Sequence, residues 1–257
     1  MPSVSFITVV KDNAIGLERT VESVLLQSFK DWEIIVVVAP STDSTLQVAE
    51  LLALSDVRIQ SILENAPGIY SAMNQGLARS RYDYCWFLNA GDTLAASDVV
   101  QNAVRTLESS GKSLVIGSHI VGSSSKVSNK FVNLEHFSAF SFAFSRKHGN
   151  HQSMLFRTQQ LKKFGGYSLQ YDLASDFEVV LKIILSYGAV KSSGIFAIIE
   201  PGGVADQNIF KVHKEKHKIR QDLFKSTWIS LLSSIWTFLA GSKIILRAKR
   251  QSLVNWR

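Results

Sequence analysis

Glu33–Val38 reads EIIVVV, five apolar residues behind one acid, and few architectures can absorb such a run. A strand with one wet face alternates apolar and polar residues. A run without alternation needs cover on both faces, as in a parallel sheet flanked by helices. Its neighbours fit that demand. Ser3–Val10 is a second β-rich run, ended by polar Lys11-Asp12-Asn13, and Leu17–Leu26 puts Leu17, Val21, Val24 and Leu25 on one helical face. Pro40-Ser41-Thr42-Asp43 reads as a turn and helix start, with Asp43 fixing the turn. The spacing then predicts a helix over Thr45–Leu54, a strand over Val57–Leu63, a helix over Gly68–Arg79 and a strand over Tyr82–Asn89. This alternation predicts an α/β fold, a mostly parallel sheet with crossover helices on its faces.

Past residue 95 the pattern loosens. A helix is expected over Asp98–Ser109, a strand over Leu114–Val121, and a Ser-rich loop or hairpin connection over Gly122–Lys130. Phe131–Phe144 carries five phenylalanines without clean periodicity and reads as core packing. Ser153–Arg157 is a short strand, Phe164–Tyr167 a turn, and Ala174–Tyr187 a helix. With 257 residues, 46% of them hydrophobic, the chain is one large domain or a domain with an appendage. Cys85 is the single cysteine, which excludes an internal disulfide framework and any cysteine metal cage.

The net charge of +7 is unevenly placed. Lys211–Arg257 holds 11 Lys and Arg against Glu215 and Asp222, a balance of +9, while residues 1–210 hold 17 against 19 acids, a balance of −2. That argues against a nucleic-acid groove across the body and for a basic tail that meets an anionic membrane surface. His213 and His217, four residues apart, read as part of a solvated basic face. Ser226–Ser242 is free of charge but holds seven Ser or Thr, too polar and short for a spanning helix. It suits an amphipathic helix in a membrane interface. The residues before Val4 carry no basic stretch, so the N-terminal apolar run reads as a strand rather than a signal peptide. A cytoplasmic location is expected, peripheral at the cytoplasmic face of the inner membrane.

The stretch that most invites chemistry is CWFLNAGDTL, Cys85–Leu94. An apolar strand runs into a polar corner, Asn89-Ala90-Gly91-Asp92, at the strand's carboxyl end, where open α/β sheets bind ligands. Asp92 with its turn is a plausible grip for a divalent cation and the phosphates it carries.

In order along the chain, SFITVVKDN, ESVLLQSFKDWEIIVV, STDST, GIYSAMNQGL and FLNAGDTL, followed by GNHQSMLF and ASDFEVVLK, resemble the inverting family 2 glycosyltransferases of GT-A fold. The likeness is to the bacterial branch that builds exopolysaccharide, capsule or lipopolysaccharide, and it covers residues 3–205. It implies a GT-A domain over residues 1–210, with a nucleotide-binding part (1–95) and an acceptor part (96–210), and a helical basic appendage over 211–257. The implied substrates are a nucleotide-diphosphate sugar and a saccharide or lipid-linked saccharide acceptor. Thr8, Val9 and Val10 match positions that line the base, and Asn74 a segment near the sugar and diphosphate. Asn89–Asp92 matches the Asp-X-Asp-type motif, where Asp92 would hold Mg²⁺ or Mn²⁺. Asp176 falls where the family places the base that deprotonates the acceptor, and His151 and Gln152 would face the acceptor.

Three departures stand out. Val38 occupies a position where an aspartate commonly reads the base, so the nucleotide is left open. Asn89 and Gly91 leave Asp92 as the corner's only acid, and Ser71 replaces a frequent aspartate. Two other readings compete. A sugar-phosphate nucleotidyltransferase needs a glycine-rich loop after the first strand, whereas VVKDNAIGLERT offers only Gly16. A non-catalytic nucleotide-sugar or glycan binding module that kept the fold would need none of the catalytic roles.

Overall fold

A computed structural model describes residues 2–123, 126–128, 138–144, 150–203 and 207–224. Strands β1 (Val4–Val10), β2 (Trp32–Val38), β3 (Ile59–Leu63) and β4 (Tyr84–Phe87) form a parallel half-sheet in the order β3-β2-β1-β4. β2 lies between β1 and β3, and all seven of its residues are buried. That position explains a run with no polar alternation. Crossovers α1 (Ala14–Leu25), α2 (Thr45–Ser55) and α3 (Ile69–Arg79) link these strands.

Side chains alternate between two cores. Phe6, Ile34, Val36 and Trp86 pack with residues of α1, α2 and α4 (Val99–Ser110). Ile7, Ile35, Val37 and Phe87 pack on the other face with α3 and α7 (Ser175–Tyr187). The one acid of the apolar run, Glu33, has a fully buried side chain. Its carboxylate accepts the Ser5 hydroxyl at 2.7 Å, the Arg81 amide at 2.9 Å and two guanidinium bonds from Arg81 at 2.9 and 2.7 Å. A buried carboxylate is tolerated when its lone pairs are filled in this way. Here it ties β1, β2 and the entry to β4 together.

The second half of the sheet is mixed. β8 (Met154–Arg157) runs antiparallel between β4 and β6 (Leu114–Ser123), and β9 (Val190–Ile199) runs parallel to β6. β5 (Thr93–Leu94) closes the edge antiparallel to β9, and β7 (Lys126–Ser128) forms a hairpin with β6. The parallel ladders hold most of the paired residues, so the sheet is a mostly parallel one flanked by helices, as the alternation predicts. α5 (Ala139–Phe144), α6 (Thr158–Lys163) and α8 (Ile209–Phe224) complete the described elements. Within the phenylalanine run, Phe142 is buried and Phe140 exposed. Ser226–Ser242 lies outside the described residues. Among those described, no helix is long and apolar enough to cross a membrane.

β9 has no counterpart among the sequence expectations. Its first half, Val-Lys-Ser-Ser-Gly, is polar and partly exposed, and only Ile-Phe-Ala-Ile-Ile reads as a strand. What seats it is Phe196, buried against Trp86 at a centroid distance of 5.4 Å. Gly117 of β6 makes room for that ring: a Cβ there would lie 2.2 Å from Phe196 Cγ. Gly117→Ala is therefore expected to lower unfolding free energy by about 1–3 kcal/mol in urea titrations. An unchanged midpoint would mean the β6–β9 contact is slacker than described.

Candidate functional site

Growth of the parallel half-sheet switches sides at β1, with β2 on one flank and β4 on the other. A sheet of this kind leaves its ligand crevice at the carboxyl ends of those strands. Thr8, Val9 and Val10 end β1, and Val10 pairs in register with Val38 at the end of β2. All four side chains are buried, Val9 in one core and Val10 and Val38 in the other. Asp43 sits beyond them, accepting amide hydrogens from Ala14 at 3.3 Å and Thr45 at 3.0 Å.

The corner after β4 is bolted to the start of α1. Leu88 N and Ala90 N donate to Ile7 O and Val9 O at 3.0 and 3.2 Å, prolonging the ladder beyond the strand. The chain then turns at Gly91, whose φ of +103° suits a residue without Cβ. Gly91 N donates to Gly16 O at 3.1 Å and to the Thr20 hydroxyl at 3.0 Å. That hydroxyl in turn lies 2.7 Å from Asp92 O, its shortest acceptor. Asn13 caps α1 through Gly16 N at 3.0 Å and reaches Ala90 O at 3.3 Å. The side-chain oxygen of Asn89 is buried with no hydrogen-bond partner.

Asp92 is only 5% exposed. One carboxylate oxygen accepts the Glu200 amide at 2.9 Å and the other accepts Gln152 Nε2 at 3.2 Å. Burial pushes its pKa up to about 6, against the pull of those two donors and of His151, and the Glu200 carboxylate adds to the rise. Glu200 follows β9 directly, and its carboxylate pairs with Arg19 at 2.9 Å.

Asp176 opens α7 as its second residue, with an amide of the first turn, that of Phe177, acting on its carboxylate. The Tyr70 hydroxyl donates to Oδ1 at 3.1 Å, and His151 Nδ1 stands 3.3 Å from Oδ2. Burial opposes its ionisation. The His151 contact, the Lys216 charge and the Phe177 amide outweigh that and hold the carboxyl well below the usual range. Its side chain keeps 30% exposure, enough for a ligand to reach it, while the His151 side chain keeps 9%. His151 Nε2 is buried without a hydrogen-bond partner.

A turn of 3₁₀ helix, His151–Ser153, joins the two carboxylates: His151 meets Asp176 and the next residue meets Asp92. The Trp86 indole N–H fixes that turn through Gln152 O at 2.7 Å. Asn74 is engaged at another turn. Its amide donates to Tyr167 O and accepts from Tyr167 N, both at 2.7 Å, so it clamps the Gly166–Tyr167 turn. Tyr167 stacks on Tyr70 at 5.4 Å and meets Phe87 edge-on at 4.9 Å, which walls the Asp176 side of the site.

Several contributors carried no sequence expectation: Thr20, Tyr70, Glu200 and Lys216. Glu200 had a signal, since IFAII running into Glu-Pro-Gly-Gly repeats the strand-to-turn pattern of Cys85–Asp92. Lys216 comes from α8, which docks on the loop before α7. Glu215 accepts the amides of Leu173 and Ala174 at 2.9 and 3.0 Å, and the Tyr171 hydroxyl donates to Asp222 at 3.1 Å. Burial pushes the Lys216 ammonium down to about 8 against the pull of Asp176.

For a divalent cation the donor set fits in kind. Hard carboxylate oxygens suit Mg²⁺ or Mn²⁺, and Asp92 is a buried carboxylate whose ionisation a cation would favour. Among the described residues no group of three or more His, Cys, Asp or Glu is placed to hold a metal by itself. Ligands from a bound diphosphate would have to complete the shell.

Comparison with known proteins gives the same outline. The family model described as glycosyl transferase family 2 matches residues 5–165. An uncharacterized glycosyltransferase of Mycobacterium tuberculosis is 31% identical over 229 residues, 86% of this chain and 82% of that one. A PGL/p-HBAD biosynthesis glycosyltransferase of the same organism is 26% identical over all of this chain and 98% of its own. Among solved structures, Staphylococcus aureus TarS 1–349 with UDP-GlcNAc superposes at TM-score 0.67 and 14% identity, over 85% of this chain and 66% of that one. The mannosyltransferase PcManGT of Pyrobaculum calidifontis, with GDP-Man and Mn²⁺, superposes at TM-score 0.69 and 16% identity, over 98% and 80%. At those identities the two structures bear on the fold alone.

The Asp92 environment has a pH signature. A carboxyl whose folded pKa is raised favours the native state below its unfolded value and loses that contribution as pH rises through about 6. Asp92→Asn is therefore expected to raise the melting temperature of the EDTA-treated protein at pH 7.5 and to change it little at pH 4.5. The gain should be on the order of 2–3 kcal/mol. Equal effects at both pH values would contradict the strained ionisation described.

Proposed function

The chain belongs to glycosyl transferase family 2, and from that premise we propose that it moves a sugar from a nucleotide-diphosphate donor to a saccharide or lipid-linked acceptor with inversion. The observation that carries this reading is the pairing of two carboxylates across one short turn, Asp92 through Gln152 and Asp176 through His151. The donor's diphosphate belongs at the Asn89–Asp92 corner, beneath the carboxyl ends of β1 and β4. TarS and PcManGT hold UDP-GlcNAc and GDP-Man on the same fold, which supports a nucleotide sugar as donor. Asp92 would hold a Mg²⁺ or Mn²⁺ ion there, and such an ion supplies charge stabilisation for the departing diphosphate. The buried Thr8, Val9, Val10 and Val38 leave the base to be read by main chain and rim residues.

Asp176 takes the acceptor's proton. Its carboxylate is ionised at any working pH, and Tyr70 and His151 each hold one of its oxygens. The acceptor oxygen bonds to the anomeric carbon on the face opposite the diphosphate, the bond from that carbon to the phosphate oxygen breaks, and the configuration inverts. A carboxylate held so strongly acidic accepts the proton late, as the new carbon–oxygen bond forms. One basic carboxylate is enough, whereas glycoside hydrolysis needs an acid across the bond as well. His151 and Gln152 set the geometry between donor and acceptor.

Asp176→Asn should lower kcat roughly 10²–10⁴-fold while leaving nucleotide-sugar affinity near wild type by calorimetry. Turnover at the wild-type rate would remove Asp176 from its assigned role. Residues 225–257 hold six Lys and Arg and no acid, which supports association with an anionic membrane, where a lipid-linked acceptor resides. Full-length protein should sediment with phosphatidylglycerol vesicles and release as salt rises. Equal sedimentation of a chain lacking residues 225–257 would contradict that role.

A further inference from the structure

Resting on that reading, the missing acid of the corner has a spatial substitute. Gly91 stands where the family motif usually carries an acid, and its backbone φ of +103° bars most side chains. The space in front of it is taken. An ideal Cβ on Gly91 would sit 2.2 Å from Glu200 Oε2, so a carboxylate oxygen from the end of β9 lies where a side chain of residue 91 would begin.

We propose that Glu200 is the second carboxylate of the donor-diphosphate cation site, delivered by β9 to the place the Asn-Ala-Gly-Asp turn leaves open. Three contacts hold it there. β5 and β9 pair at Thr93 and Ile198, and the ladder continues into the bond from Glu200 N to Asp92 Oδ1 at 2.9 Å. The two acids are therefore fixed to each other through the main chain. Arg19 engages Oε1 at 2.9 Å, which leaves Oε2 directed at Gly91. The Glu200 side chain is 38% exposed, so a donor can reach it.

The electrostatics point the same way. Two carboxylates side by side repel, and one half-exposed guanidinium offsets that only in part. A divalent cation bridged to diphosphate oxygens would offset both charges, and hard oxygen ligands of this number are what Mg²⁺ and Mn²⁺ take. The competing explanation is that Glu200 is only a partner for Arg19 on the surface.

Manganese binding separates the two. Free Mn²⁺ is followed by electron paramagnetic resonance as it is titrated into full-length protein with UDP, and in parallel with GDP. Wild type should take up Mn²⁺ more tightly with one nucleotide than with the protein or nucleotide alone. Glu200→Gln should weaken that uptake roughly tenfold or more, as Asp92→Asn does. Arg19→Gln removes the ion pair but keeps the carboxylate and the Glu200 amide bond to Asp92, and should weaken Mn²⁺ uptake less than Glu200→Gln does. If Glu200→Gln binds like wild type while Asp92→Asn fails, the corner stands and the role of Glu200 is overturned. If Arg19→Gln loses uptake as Glu200→Gln does, the ion pair is what matters and the proposal is overturned. If wild type gains no Mn²⁺ uptake from either nucleotide, the reading of the corner falls, and this inference with it.

Discussion

The hydrogen bond from the Trp86 indole to Gln152 O, 2.7 Å long, is the contact on which the site's geometry hangs. Trp86 is fully buried, packed between Phe6 and Phe196, so its ring has no freedom to follow a moving partner. A buried indole N–H needs an acceptor, and here the acceptor is the middle residue of the His151–Ser153 turn. The turn is thus registered against β4, the strand that also launches Asn89–Asp92. From it two consecutive side chains reach in different directions, one to each carboxylate. The Asn89–Asp92 corner and Asp176 are placed by one rigid core contact rather than by loops.

The same arrangement drives the two acids apart electrostatically. Asp92 is buried with donors too few to offset its desolvation, and Glu200 beside it adds like charge. Asp176 is also desolvated, but His151, Lys216 and the helix amide outweigh that. Carboxylates whose environments separate their pKa values commonly divide roles, one ionised and reactive, the other waiting for a cation or a proton. Helix α8, beyond the residues matched by the family model, takes part in that division. Glu215 pins it to the loop before α7, and Lys216 brings its charge to Asp176.

Much of this was legible in the sequence where periodicity carried the signal. EIIVVV read as a strand covered on both faces, and β2 is one. Asp92 stood out as the acid at a strand end, while Asp176, which shares its first helical turn with Glu178, was singled out by resemblance alone. What stayed hidden came from contacts between distant residues. Glu200 is 108 positions from the residue it supports, and its strand begins with a polar stretch that no β pattern marks. Thr20 reads as an ordinary helical residue, yet its hydroxyl anchors a corner 71 positions away. Asn74 was a candidate by resemblance alone, and nothing local shows that its amide also clamps Tyr167 through both atoms.

The central claim is that the corner at Asn89–Asp92 receives a nucleotide diphosphate through a divalent cation. The most direct measurement is anomalous diffraction at the manganese edge from crystals grown with UDP or GDP and Mn²⁺. The account predicts one anomalous peak bonded to an Asp92 carboxylate oxygen and to diphosphate oxygens. Nucleotide ordered in the crevice with no peak at Asp92, or a peak elsewhere, would contradict it.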